Sequence, residues 1–260
     1  MEANRLIVGD SVTALPKEVG PCRVDLTVTS PPYDSLRDYH GYQFDAAAML
    51  QAIYDATAEG GVCVWVVGDQ VRKGDLSLSS FKHALAGQAL GRRVHDVMIY
   101  AKNAKLFPRT NGYYRTHEYM LVLSKGAPKT FNGLREPNTY AGQVRKRWTH
   151  RAKSGEMKEI TERVCRPDSV LGNVWRYNVA FGQATTDKFA HGHPAMFPER
   201  LAEDHVLSWS NPGDLVLDPM CGSGTTCKMA QRHGRRYIGI DVSADYIEIA
   251  KLRTAQPSII

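Results

Sequence analysis

Two short stretches hold the residues best suited to chemistry. The first is Asp218-Pro219-Met220-Cys221-Gly222-Ser223-Gly224-Thr225-Thr226. Leu215–Asp218 reads as a strand and Thr225–His233 as a helix, so both glycines fall in the turn between them. Gly222 and Gly224 let the backbone come close to a ligand, and the helix N-terminus offers unpaired N–H groups. The pattern is not G-x-G-x-x-G, and no G-K-[ST] follows, which sets aside a dinucleotide fingerprint and a phosphate cradle. Asp241, 23 residues beyond Asp218, ends the next strand, Tyr237–Asp241. An acid there can accept from both hydroxyls of a ribose. Acids at the two strand ends suit a ligand with a ribose and a cationic amino-acid end, as S-adenosylmethionine has.

The second stretch is Thr29-Ser30-Pro31-Pro32-Tyr33, directly after the β-branched strand Asp25–Thr29. Open α/β sheets place their active sites at such strand ends. Each proline holds the residue before it extended and withholds an N–H, which frees the Ser30 and Pro31 carbonyls from helical pairing. Taken alone, the segment reads as a rigid turn. Beside an activated methyl donor it does more. The lone pair of an exocyclic amino group is delocalised into its ring, so that nitrogen is a poor nucleophile. Acceptors for its two hydrogens, Ser30 Oγ and the Pro31 carbonyl, favour a tetrahedral nitrogen, and the Tyr33 ring can stack on the base. The methyl is already activated, so alignment does most of the remaining work and no metal is needed. A base acted on in this way must first leave its duplex.

These stretches need strands and helices to carry them. Leu6–Gly9, Asp25–Thr29, Val62–Val67, Val94–Ala101 and Glu118–Leu123 read as strands, and Val62–Val67 is apolar throughout, as in a sheet buried on both faces. Asp45–Ala58, ended at Gly60-Gly61, and Ser79–Leu90 read as helices. From Gly126 to Lys188 the pattern decays into single aromatics among Gly, Pro, Asn, Arg and Lys. A structureless stretch of that length reads as a functional insertion. Order returns with a helix opened by Pro198, with Glu199 in its first turn, and running to Ser210. Strand Leu215–Asp218, helix Thr225–His233, strand Tyr237–Asp241 and helix Ala244–Arg253 then complete a doubly wound α/β sheet.

The charge of +6 is unevenly placed. Between Lys125 and Arg176 twelve Lys/Arg stand against five acids, which leaves +7 there and the rest of the chain near neutral. By itself such a stretch reads as a solvated face. With a base as substrate it reads as a face for double-stranded DNA, with Arg145, Lys146, Arg147, Arg151 and Lys153 at its centre. The five cysteines form no C-x-x-C, which argues against a zinc site or a disulfide framework and, for most of them, for buried small hydrophobes. No apolar run is long enough to span a membrane, and the first residues lack the layout of a signal peptide, so the expected place is the cytoplasm.

Jointly the motifs resemble the β-class of DNA amino-methyltransferases, over most of the chain. TSPPY resembles that family's catalytic motif, DPMCGSGTT its DPF-x-GSGTT cofactor motif, and YIGIDVSADYIEIAKLR its ribose-binding strand and helix. His193-Pro194-Ala195-Met196-Phe197-Pro198-Glu199-Arg200-Leu201 resembles the H-P-A-x-F-P-x-x-L segment that lies against the cofactor. Val8-Gly9-Asp10-Ser11 resembles the N-terminal G-D segment, and His117-Glu118-Tyr119 with Lys125-Gly126 another recurrent element. The order, tetrapeptide first and glycine loop last, is that of the class; Met220-Cys221 departs softly from its usual Phe.

The resemblance implies a Rossmann-like methyltransferase sheet with an inserted target-recognition region. Residues 1–125 would form the catalytic half, 126–188 the insertion and 189–260 the cofactor-binding half. It implies that Ser30, Pro31, Pro32 and Tyr33 hold the target amino group and base. Thr29, Asp218, Pro219, Cys221, Gly222, Ser223, Gly224, Thr225 and Thr226 would surround S-adenosyl-L-methionine. Asp241 would take its ribose, Asp10 and Ser11 would lie near the adenine, and the helix start with His193, Pro194, Ala195 and Phe197 would close the methionine end. S-P-P-Y accompanies N4-cytosine methylation more often, and D-P-P-Y or N-P-P-Y N6-adenine methylation. The expectation is therefore N4 of cytosine, with N6 of adenine as the alternative. A non-catalytic DNA-binding subunit is a further reading, against which intact Ser30, Tyr33, Asp218 and Asp241 stand. The family also admits a homodimer and a cognate restriction endonuclease as partners.

Overall fold

The computed structural model describes residues 4–32, 44–103, 110–179, 185, 187 and 196–255, and at 72, 146–148, 150 and 159–161 it describes the backbone alone. The chain divides into two compact units, a larger one of residues 1–132 and 173–260 and a smaller one of residues 133–172.

The larger unit is built on an eight-stranded sheet. Its strands are β1 (Arg5–Val8), β2 (Val24–Thr29), β3 (Thr57–Val67), β6 (Arg93–Lys102), β7 (His117–Ser124), β12 (Val174–Tyr177), β13 (Leu215–Asp218) and β14 (Arg236–Asp241). The hairpin between β3 and β6 is β4 (Val71–Arg72) with β5 (Asp75–Leu76). The sheet order is β1-β14-β13-β2-β3-β7-β6-β12. From β1 to β3 all neighbours are parallel, β7 runs antiparallel between β3 and β6, and β12 pairs parallel with β6.

Side-chain alternation sorts the strands into two apolar layers. Leu26, Val28, Val62, Val64 and Val66 face a cluster that takes in Leu201, Val206, Ala230 and Ile247, from α4 (Glu199–Trp209), α5 (Thr225–Arg232) and α6 (Ala244–Thr254). Val24, Cys63, Trp65 and Val67 face the other way, onto Met49, Leu50 and Ile53 of α2 (Ala46–Ala56). The short α1 (Ser11–Ala14), the π turn Leu15–Val19 and α3 (Ser79–Ala89) complete the described helices of this unit. Asp45 caps α2, accepting from the N–H groups of Ala47 and Ala48.

Three sequence expectations change here. Gly60-Gly61 does not end α2. The helix stops at Ala56, where Thr57 Oγ1 donates to the Ile53 carbonyl at 2.6 Å. The glycines lie inside β3, where its register with β2 shifts between Val24 and Leu26. A Cβ on Gly61 would come within 2.9 Å of the Val24 and Ala58 carbonyl oxygens, so the bulge needs glycine there. Second, the stretch 126–188 is not structureless, since its described residues hold five strands. Third, β12 belongs to the main sheet, and Lys125 and Lys129 serve the larger unit. Lys125 Nζ donates to the carbonyls of Tyr54 and Thr57, and Lys129 pairs with Asp25.

The smaller unit is made of β8 (Arg135–Pro137), β9 (Val144–Arg151), β10 (Met157–Val164) and β11 (Asp168–Val170), as two antiparallel pairs, β9 with β10 and β8 with β11. Gly155, at φ +87°, turns β9 into β10, and Ala152 N–H closes the turn on the Glu156 carbonyl.

Candidate active site

In the larger unit the carboxyl ends of β1, β14, β13 and β2 share one edge of the sheet. Val8 lies opposite Asp241, Asp218 opposite Gly239 and Leu217 opposite Thr27. The chain moves one way across the sheet from β2 to β3 and the other way from β13 to β14. The reversal falls between β13 and β2, which are neighbours. A crevice outside the carboxyl ends at such a switch point is where open α/β sheets bind ligands. Asp218 ends β13 at that point and Thr29 ends β2.

The glycine loop is fastened from three sides. Asp218 is buried, and its Oδ1 accepts from Thr29 Oγ1 at 2.7 Å and from the Met220 N–H at 3.2 Å. Burial pushes this carboxyl up to about 6, against the hydrogen bonds from Thr29 and Met220. Thr226 Oγ1 donates to the Val28 carbonyl at 3.0 Å, which ties the start of α5 to β2. Ser11 Oγ donates to the Pro219 carbonyl. Cys221 lies against Cys227, and that thiol contact together with burial pushes the Cys221 thiol well up. Gly224 precedes α5 at φ +79°, and no side chain caps the first-turn N–H groups. A Cβ on Gly224 would lie 2.7 Å from the Ala250 Cβ, which makes glycine obligatory for the packing of α5 on α6.

Asp241 is half-buried, and burial raises its carboxyl above the ordinary range. Its Oδ2 accepts from the Gly222 N–H at 2.8 Å and its Oδ1 from the Ser243 N–H at 2.9 Å. A carboxylate has about four lone-pair sites, so beside these bonds and one from the Val242 N–H it keeps capacity for a hydroxyl. Val8 and Val242 flank it, 52 % and 48 % exposed, an apolar rim for a flat ring. Asp10 caps α1 by accepting from the Thr13 N–H at 3.0 Å. A diol acceptor, an apolar rim and an uncapped helix start fit the sugar, base and charged end of S-adenosylmethionine.

At Thr29 and in the tetrapeptide Ser30-Pro31-Pro32-Tyr33 that follows it, Thr29 and Pro31 are buried, and Ser30 and Pro32 are half-buried. Tyr33 lies outside the described residues, as do His193, Pro194 and Ala195. Phe197 is half-buried against the core. The helix expected to open at Pro198 does so, with Pro198 as its N-cap and Glu199 in its first turn, and Met196 and Phe197 precede it as non-helical residues.

The sequence reading missed Arg253. Its guanidinium is fully buried, with Nε 2.9 Å from Asp187 Oδ2 and Nη2 2.5 Å from Glu199 Oε1. Nη1 donates to the carbonyl and hydroxyl of Ser223 at 3.0 Å and to Thr225 Oγ1 at 2.9 Å. Lys228 joins both acids, at 2.7 Å and 3.0 Å. Burial alone would raise the Asp187 and Glu199 carboxyls, but these cations hold both below their ordinary values. Arg253 therefore clamps the loop that the glycines bend. Its partner Asp187 lies 66 residues away in sequence, where no spacing rule reaches.

In the smaller unit Arg145, Arg151 and Lys153 are exposed. For Lys146 and Arg147 only the strand position is described.

Comparison with known proteins agrees with this geometry. A family described as DNA methylase matches residues 24–252. The orphan methyltransferase M.BamHII of Bacillus amyloliquefaciens is 48 % identical over 240 residues, 91 % of each chain. The DNA adenine methyltransferase YhdJ of Escherichia coli K12 is 26 % identical over 268 residues, 97 % of this chain and 83 % of that one. Among solved structures, a DNA modification methylase of Thermus thermophilus, TTHA0409, complexed with S-adenosyl-L-methionine, is 26 % identical with a TM-score of 0.63, covering 96 % of this chain and 93 % of that one. The chain belongs to the DNA methylase family and is an S-adenosylmethionine-dependent DNA methyltransferase.

Proposed function

We propose that the chain methylates N4 of cytosine at a specific site in double-stranded DNA, with the base turned out of the helix. One observation carries the reading: the glycine loop and the tetrapeptide meet at the switch point, joined by the Thr29–Asp218 hydrogen bond of 2.7 Å. When bound, S-adenosylmethionine supplies an electrophilic methyl on sulfur. The protein supplies position. Asp241 takes the ribose hydroxyls, and the uncapped start of α5 faces the charged end. Ser30 Oγ and the Pro31 carbonyl accept the two amino N–H groups, which favours a nucleophilic lone pair on nitrogen. Tyr33 stacks on the base. The nitrogen bonds the methyl as the methyl–sulfur bond breaks, the sulfur leaves as a neutral thioether, and one amino proton passes to solvent.

The neutral Ser30 at the head of the tetrapeptide supports cytosine. The 26 % identical DNA adenine methyltransferase supports the second reading, N6 of adenine. M.BamHII is named an orphan methyltransferase, which supports a chain acting without a companion endonuclease. The test is methylation of plasmid DNA with labelled S-adenosylmethionine, followed by nucleoside mass spectrometry and single-molecule sequencing. N4-methylcytosine at one recurring site is expected; N6-methyladenine would replace the base assignment. Ser30→Ala is expected to keep cofactor affinity while slowing single-turnover methylation about 10- to 100-fold, for the loss of one transition-state hydrogen bond. An equal rate would remove Ser30 from the mechanism.

A further inference from the structure

The smaller unit encloses a cleft of about 390 Å³ whose walls include Arg135, Arg145, Arg163, Arg166 and Asp168. Four guanidiniums thus border one carboxylate. That carboxylate is already engaged, because Arg135 Nη2 donates to Asp168 Oδ1 at 2.7 Å. The hydrogen bond from Arg135 and, more weakly, the charge of Arg166 hold the Asp168 carboxyl below its ordinary value. Among the described residues no acid pairs with Arg145, Arg163 or Arg166.

Arg145 and Arg163 stand directly opposite each other in the β9–β10 register. Like charges in that relation destabilise a strand pair. Arg145 is also fixed in place, its guanidinium over the Tyr140 ring at 5.3 Å. A hairpin that sets two arginines face to face and brings a third to the same cleft is strained electrostatically until an anion enters. A full negative charge relieves this, whereas a neutral base edge relieves little.

We propose that this cleft seats a phosphodiester group of the DNA backbone, clamped by Arg145, Arg163 and Arg166, with the Arg135–Asp168 pair as its fixed wall. The proposal rests on DNA being the substrate and names where the smaller unit grips it. Phosphate contacts set register, so the cleft orients the unit on the duplex while other side chains read sequence.

Arg163→Glu separates this role from folding. It replaces a repulsive cross-strand pair by an attractive one, so the thermal midpoint holds or rises. DNA affinity at low salt is expected to fall at least about tenfold, with S-adenosylmethionine affinity unchanged. Arg163→Gln is expected to reduce the slope of log affinity against log salt by about one. Parent-like affinity and slope in both variants would overturn the proposal. An unchanged slope with altered site preference would overturn it in favour of a base contact.

Cys165 lines the same cleft, half-buried, and gives a second readout. In a Cys22→Ser background, duplex DNA is expected to slow alkylation of Cys165 by a neutral maleimide at least about fivefold at low salt, where phosphate contacts are strongest. An unchanged rate would overturn the seat. If the parent methylated no DNA, the functional reading would fall, and this protection would still decide whether the cleft binds it.

Discussion

Arg253 and Arg145 are one residue type in opposite surroundings. Arg253 has no exposed side-chain surface and makes contacts with Asp187, Glu199, Ser223 and Thr225. Arg145 is exposed, faces another arginine across a strand pair and has a tyrosine ring beneath it. The two regions they represent differ in the same way. Around the glycine loop Arg253, Lys228, Asp187 and Glu199 are all paired, so they hold geometry and are already committed. In the smaller unit cations outnumber acids nine to five, and of those lining the cleft Arg135 is paired with Asp168 while Arg145, Arg163 and Arg166 pair with no acid among the described residues. Position is made by charges that are used up; the charges that are not are the ones proposed to make affinity.

The largest expected effect comes from breaking the committed side. Arg253→Leu leaves Asp187 and Glu199 buried with Lys228 alone, and removing one partner of a buried ion pair costs about 3–5 kcal/mol. Urea unfolding of the protein without cofactor should show it. Arg253→Lys keeps the charge but loses the fork that spans Ser223, Thr225 and both acids, so it should recover only part of that stability. Full recovery would mean that charge, not the guanidinium geometry, holds the loop.

The next effect depends on pH. Asp218 titrates near 6 in the folded protein, raised by burial from 3.8. The folded state thus binds its proton more tightly than the unfolded chain. The stability this adds is fully present below about pH 4 and is lost as pH rises through 6. Asp218→Asn keeps an acceptor for Thr29 and Met220 without the charge. It should gain on the parent by roughly 2–4 kcal/mol between pH 4 and pH 7.5 in unfolding measurements. Parallel pH profiles for the two proteins would show that Asp218 keeps an ordinary carboxyl.

Asp241 stands between the two kinds of charge, half-exposed and only partly satisfied. Asp241→Ala should weaken S-adenosylmethionine binding by about 1.5–3 kcal/mol, the value of hydrogen bonds to a charged acceptor. Calorimetry reads it directly, with the thermal midpoint as control. Unchanged affinity would move the ribose elsewhere along the sheet edge.

The same contrast explains what could be read from sequence. Gly222 and Gly224 were legible because a left-handed backbone and a 2.7 Å approach of helices demand one residue type. The two-sided core was legible in Val62–Val67, since burial on both faces leaves no polar position in the run. Arg253 was not, because its partners lie 54 and 66 residues away and only the folded chain collects them. Nor was the β9–β10 hairpin. Val144-Arg145-Lys146-Arg147-Trp148 shows no alternation, and Val144, Met157 and Val164 are all exposed. Among the described residues these apolar side chains mark no buried face, and such a pattern gives no periodicity to detect. Ser154-Gly155 was the one local signal, a turn at the centre of the pair.

The smallest effect on folding should come from the uncommitted side. Arg151 and Lys153 are exposed at the end of β9 and in the following turn, and no ion pair involves either among the described residues. Surface substitutions away from caps and networks stay within about 0.5 kcal/mol. Arg151→Ala and Lys153→Ala should therefore unfold like the parent and bind S-adenosylmethionine equally well. If both meet phosphates, each should reduce the salt slope of DNA binding by about one, and their double variant by about two, since independent counterion releases add. A salt series with the single and double variants separates this from a merely solvated turn, which would leave slope and affinity unchanged. A third result, large loss of stability from either substitution, would contradict the contrast itself. It would place a committed charge in the unit where the charges are expected to wait for a ligand.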